Sequence, residues 1–113
     1  MTIAAGRLRH RITIEKPTQV QDPVTGDLTE GWEEVVANLP AAIEPLSARD
    51  FIQSAAMQSE ITTRITIRYR TGIVPDMRVL AAGRVYKIRG VLPDPVSGRE
   101  HLTLPCREET GSD

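Results

Sequence analysis

Chemistry in this chain would have to come from two histidines, one cysteine and a large stock of arginine. His10 and His101 each lie in a stretch of β-type alternation, and neither has a second His or Cys at metal-ligand spacing. A structural role is therefore expected for both over metal binding or acid–base work. Cys106 alternates with Leu102 and Leu104, which places it with the core rather than at a nucleophilic site. As the single cysteine it allows no internal disulfide and no cysteine zinc cluster, and it points to a reducing compartment. Asp22, Thr25 and Asp27 suggest a calcium loop, but their spacing fails the EF-hand pattern, and a turn is expected there. The glycines are scattered, and no strand–glycine–helix phosphate cradle is present. No convergent constellation supports an enzyme, so no catalytic, cofactor-binding or metal residue is assigned.

The arginines are the positive signal. Of 14 basic residues, 12 are Arg and only Lys16 and Lys87 are lysine. Arginine makes planar, multi-donor contacts with carboxylates and phosphates that lysine cannot. The formal charge is only −1, yet the charges are segregated. Residues 17–48 carry Asp22, Asp27, Glu30, Glu33, Glu34 and Glu44 and no Lys or Arg. In the stretch TTRITIRYRTG, strand alternation puts Ile65, Ile67 and Tyr69 on one side and Arg64, Arg68 and Arg70 on the other. In RLRHRITIEK, Arg7, Arg9 and Arg11 share the face opposite Leu8, His10, Ile12 and Ile14. If the two strands are neighbours, the chain carries an arginine wall. Such a wall could meet phosphates without base readout, or the acidic segment of another copy. Solvation and pairing within the chain explain the same charges equally well.

The elements that must position these residues follow from the same patterning. A first strand is expected over 7–16. Residues 17–31, rich in Pro, Gly, Asp and Thr, read as a long acidic hairpin loop with short strand character near Val20 and Leu28. Strand residues over 32–44 are interrupted at Pro40, which suits an edge, a bulge or a break. Ser47 with Asp50 resembles a capping box, and Phe51, Ile52, Ala55 and Ala56 form a narrow stripe at helical spacing, predicting a short helix over 48–58. A strand over 60–70, a hairpin of 77–81 and 84–91 across Ala82-Gly83, a turn over 93–99 and a strand over 101–107 complete the pattern. The tail 108–113 is expected to be mobile.

Short strands with polar turns and one helix predict an all-β protein: a small antiparallel β-barrel of about six strands with one short inserted helix. At 113 residues it reads as a single domain, 1–113, with its core resting on Ile, Val and Leu because aromatics are few. No apolar run approaches membrane-spanning length, no membrane partner is expected, and no segment resembles a signal peptide, so a cytosolic origin is expected.

Several segments in order, GRLRHRITI at 6–14, Trp32, AAIEPLSARDF at 41–51, ITIRYRTGI at 65–73, MRVLAAGRVYKIRGV at 77–91 and LTLPCREE at 102–109, resemble the phage head–tail joining proteins. These are the head-closure, or stopper, subunits of tailed phages. The chain departs from the family's pattern in having Pro40 before AAIEPLS and Ala48-Arg49-Asp50 after it. The resemblance implies a virion connector that forms a homo-oligomeric ring under the portal and adaptor. The ring closes the exit channel over packaged double-stranded DNA and docks the tail. Neither enzyme activity, cofactor nor small-molecule substrate is implied. The place of work is the virion head–tail interface, after assembly in the host cytoplasm, with the isolated subunit able to stay monomeric. Prophages and gene-transfer agents carry similar subunits.

Joined to the charge pattern, this makes Arg7, Arg9, Arg11, Arg64, Arg68 and Arg70 candidates for a subunit interface or the DNA channel. Asp22, Asp27, Glu30, Glu33 and Glu34 are their candidate mates. Residues 45–60, including Ser47, Arg49, Asp50, Phe51, Gln53 and Gln58, are the expected gating segment, and 17–31 is expected to dock a ring above or below. The alternatives are a small OB-like barrel that binds nucleic acid directly, which the near-neutral charge and few aromatics disfavour, and a neighbouring connector or tail-completion protein.

Overall fold

A computed structural model describes residues 8–46 and 61–109. Seven strands run β1 (His10–Gln21), β2 (Leu28–Pro45), β3 (Thr63–Arg68), β4 (Arg78–Ala81), β5 (Arg84–Ile88), β6 (Leu92–Pro93) and β7 (His101–Glu109). All pairings are antiparallel. The order is β3-β2-β1-β4-β5-β7, and β3 also pairs with β7, so six strands close on themselves and the two-residue β6 adds to β7. Closure removes the free edges that an open sheet of this size would expose.

The closed ring encloses the inward half of each alternating strand. Ile12, Ile14, Ile65, Ile67, Val79, Ile88, Leu104 and Cys106 are fully buried. β-Branched side chains dominate because they suit the pleated surface and lose little freedom there. The expected all-β fold, with its aliphatic core and few aromatics, is the one observed. Two outward positions are also covered: Leu8 packs with Ala42 in a small separate cluster.

Several boundaries differ from those the sequence suggests. Most of the loop expected over 17–31 is strand, and only the turn between Gln21 and Leu28 is not. That part of the pair meets no other strand, so neither face is buried and no apolar alternation announces it. The break expected at Pro40 does not occur: β2 is continuous, and Pro40 pairs with Arg11 one residue outside its ladder with β3. The irregularity falls instead at two bulges, where Ile12 pairs with Leu39, Ile14 with Val36 and Glu15 with Glu34. Asn38, at φ 58°, occupies the first. Bulges raise the local twist and re-aim a strand leaving a barrel.

Tyr69 is exposed rather than core-facing, because the strand ends at Arg68. His10, aligned with Ile12 and Ile14 by alternation, is also exposed. Glu108 and Glu109 belong to β7, pairing with Tyr86 and Val85, and are not part of a mobile tail. The helix expected over 48–58, with Ser47, Arg49, Asp50, Phe51, Gln53 and Gln58, lies outside the described residues, as does Arg7.

Candidate assembly surfaces

The first surface is the outer part of the β1–β2 hairpin. β1 pairs with β4 only over Thr13–Glu15, and β2 with β3 only over Ala41–Pro45. Lys16–Gln21 and Leu28–Glu33 therefore pair with each other alone, as a two-stranded ribbon. The long axis of the molecule, 52 Å against 29 and 24 Å, reflects that projection. The ribbon exposes Val20, Val24, Leu28 and Trp32. Asp27, Glu30 and Glu34 stand exposed along it with no ion-pair partner among the described residues. Glu33 faces Lys16 at 3.8 Å, a solvent-exposed pair of small energetic weight. A shallow cleft near the ribbon's base is lined by Pro17, Thr18, Gln19, Glu30, Gly31 and Trp32.

The ribbon's two ends are fixed locally. At the tip, Asp22 Oδ1 accepts from the Val24 and Thr25 amides at 2.7 and 3.3 Å, the Asp22 amide donates to Asp27 O at 2.8 Å, and Gly26 takes φ 81°. These amide donors hold the Asp22 carboxyl below its usual range. Asp22 is thus first the nucleus of a turn, as the failed EF-hand spacing suggests. At the base, Arg78 of β4 donates from Nε and from a terminal nitrogen to the same Glu15 oxygen, both at 2.7 Å. Its guanidinium carbon lies 4.1 Å from the centre of the Trp32 ring.

The second surface is the outer face of β3 and its neighbours. The arginine wall requires β1 and β3 to be adjacent, and they are not: β2 lies between them. The arginines divide accordingly. Arg11 sits opposite Pro40, while Arg64 is flanked by Glu44 on β2 and Pro105 on β7. Arg68 pairs across the sheet with His101, and the Tyr69 amide extends that ladder to Glu100 O at 3.0 Å, bringing Arg70 alongside the segment before β7. Arg9 has a partner of its own. Two buried polar atoms at this end have no hydrogen-bond partner, Arg70 Nε and His101 Nδ1.

The turn expected over 93–99 is present, and Asp94, whose part in it the sequence reading does not single out, builds it. Its carboxylate accepts from the amides of Val96, Ser97 and Glu100 at 3.0, 2.7 and 2.8 Å, and from Ser97 Oγ. These donors, foremost the Glu100 amide, push its pKa far below the ordinary carboxylate range although burial opposes them. The signal was present: Asp94-Pro-Val-Ser-Gly98 repeats Asp22-Pro-Val-Thr-Gly26. Both stretches fold alike, each Asp accepting from the second and third amides beyond it and each Gly at positive φ.

Chemistry at the remaining candidates is limited. Cys106 is buried, its pKa raised to about 12 by desolvation, and its Sγ donates to Leu104 O at 3.2 Å. No group of three His, Cys, Asp or Glu suited to a metal occurs among the described residues. What the geometry offers is charge, apolar side chains and strand edges on a closed barrel, which is the equipment of a contact-making structural module.

Comparison with known proteins agrees. The profile of the family described as phage head completion protein matches residues 3–109. Head completion protein gp7 of Enterobacteria phage HK97 is 26% identical over 110 residues, covering 96% of each chain. The solution structure of protein SF1141 from Shigella flexneri 2a superposes with a TM-score of 0.78 at 38% identity, over 97% of this chain and 100% of that one. A chain from the virion of a native gene transfer agent particle shares the fold, with a TM-score of 0.63 at 20% identity over 94% and 98%. The chain belongs to the phage head completion protein family. That is a family of virion structural proteins and not of enzymes, in keeping with the resemblance read from the segments between 6 and 109.

Proposed function

We propose that this protein is a head-closure subunit, assembling as a ring under the portal and adaptor, sealing the DNA exit channel after packaging and giving the tail its docking surface. The observation that carries the reading is the acidic ribbon that projects from a closed barrel in a chain of the head completion family. A ring of identical subunits needs two different patches that fit each other, and a projecting element on one copy with a complementary surface on the next is the simplest such pair.

The division of labour follows the topology. The ribbon and the 47–60 connection lie at opposite ends of β2. The chain leaves the barrel after Leu46 and returns beside it, with the Leu46 amide donating to Thr62 O at 3.0 Å. A segment inserted between adjacent strand ends can change its path without disturbing the sheet, which supports 45–60 as the gate. Its candidates remain Ser47, Arg49, Asp50, Phe51, Gln53 and Gln58. The partners are then sister copies, the portal or adaptor and tail proteins, and the packaged DNA.

DNA retention tests the reading. Heads packaged without this protein should lose their DNA to added nuclease, and purified protein should restore protection. Protection that does not depend on the protein would remove the closure role.

A further inference from the structure

We propose that the Arg68–Arg70–His101 end of the β3–β7 pair is an acceptor site for the ribbon carboxylates of a second copy of this chain. The inference rests on the ring reading above and names the contact within it.

Two observations meet at this place. Arg70 Nε always carries a proton, and it is buried without an acceptor. His101 Nδ1 is buried without a partner beside it in the sheet. Buried polar atoms are nearly always satisfied, so two orphans at one strand end call for an outside group. An oxyanion supplies what Arg70 lacks, and a carboxylate can accept from two donors at once.

Asp27 and Glu30, without an ion-pair partner among the described residues, lie on the outer part of the ribbon. Glu30 lies ten residues along β2 from Pro40, which borders the Arg68 row. At strand rise that is on the order of 30 Å. The ribbon cannot fold back while it pairs from Lys16 to Gln21 with Leu28 to Glu33. The same carboxylates on a neighbouring copy can reach, with the ribbon's exposed Leu28 and Trp32 entering the contact alongside them. Duplex phosphate is the competing oxyanion. It is disfavoured because the chain's formal charge is −1, which gives no net positive field to hold a duplex.

The test is a concentration series by ¹⁵N NMR on the isolated chain up to millimolar, at low salt. Amide signals of 27–34 and of Arg68, Arg70 and His101 should shift together as concentration rises. Reversal in R68E/R70E should weaken self-association by roughly tenfold or more, and mixing that variant with E30R/E34R should restore it through the swapped charges. Dispersed spectra of both variants confirm that each folds. Absence of concentration-dependent shifts, or shifts confined to other surfaces, overturns the proposal. So do shifts of the arginine signals on adding a 20-base-pair duplex with none on self-titration, which would assign the site to DNA. Association through other surfaces would leave the ring reading standing while this contact falls.

Discussion

Arg78 lies with its guanidinium carbon 4.1 Å from the centre of the Trp32 ring while two of its nitrogens hold one oxygen of Glu15. Glu15 is the last β1 residue to pair with β4, and Trp32 is in the part of β2 that pairs with β1 alone. One side chain on the barrel therefore grips both strands where they leave it. An isolated two-stranded ribbon is marginally stable in water, so its direction depends on this junction.

Replacing Arg78 by alanine should cost about 1–3 kcal/mol, the range for a charge-assisted hydrogen bond lost from a largely buried carboxylate plus a modest cation–π term. Hydrogen exchange at 28–33 should accelerate more than at β3 or β7. Lysine at 78 should recover charge but not the stacking and paired donation, and so restore only part of the loss. Equal acceleration throughout the barrel would contradict a local junction.

The two Asp-Pro-Val-(Thr/Ser)-Gly turns should respond differently to the same change. Asp94→Ala removes more hydrogen bonds than Asp22→Ala and removes them from a buried position, so thermal denaturation should show the larger drop in Tm for Asp94. Asp94 also carries a pH signature. Its folded-state pKa is depressed, so its contribution is complete above the unfolded value near 3.8 and declines as pH falls below it. Wild type should lose stability more steeply than Asp94→Asn between about pH 4 and pH 2.

Cys106 should be inert in the folded protein. With its pKa near 12, the thiolate fraction at pH 8 is very small, and the sulfur is buried besides. Reaction with a thiol-specific reagent should be slow in buffer and rapid in denaturant. Fast labelling in buffer would mean that β7 opens readily from β3.

Ala82 occupies the first central position of the β4–β5 hairpin at φ 51°, followed by Gly83 at φ 79°. Positive φ at both positions suits a type I′ turn, for which Asn-Gly is favoured, and a left-handed alanine carries about 1–2 kcal/mol of strain. Ala82→Asn should raise stability by about 1 kcal/mol in chemical denaturation.

How much of this could be read in advance depended on whether a residue faced a core. Ile12, Ile14, Ile65, Ile67, Leu102, Leu104 and Cys106 alternate against polar neighbours because one side of each strand is sealed, and those strands were legible. The ribbon was not, since Lys16–Gln21 and Leu28–Glu33 are wet on both faces and their composition resembles a loop. Bulges at Val35 and Asn38 shift register without leaving a composition signal. The acidic and arginine-rich surfaces were legible as residue types, but their separation was not. Whether Arg11 adjoins Arg68 is a matter of strand order, and β2 intervenes. Arg78 and Glu15 are 63 residues apart and meet only through the β1–β4 register. The turn over 93–99 is legible from its Pro, Asp and Gly, but that Asp94 organises it shows only in the motif it shares with Asp22.

The claim that the chain is a ring-forming closure subunit is tested most directly by electron microscopy of DNA-filled, tail-less heads with the purified protein added. A closed ring of density beneath the portal is the predicted result, with acidic ribbons of successive subunits reaching toward the β3–β7 face of the next. Density found only at tail ends, or single subunits beneath the portal with no contact between copies, would contradict it.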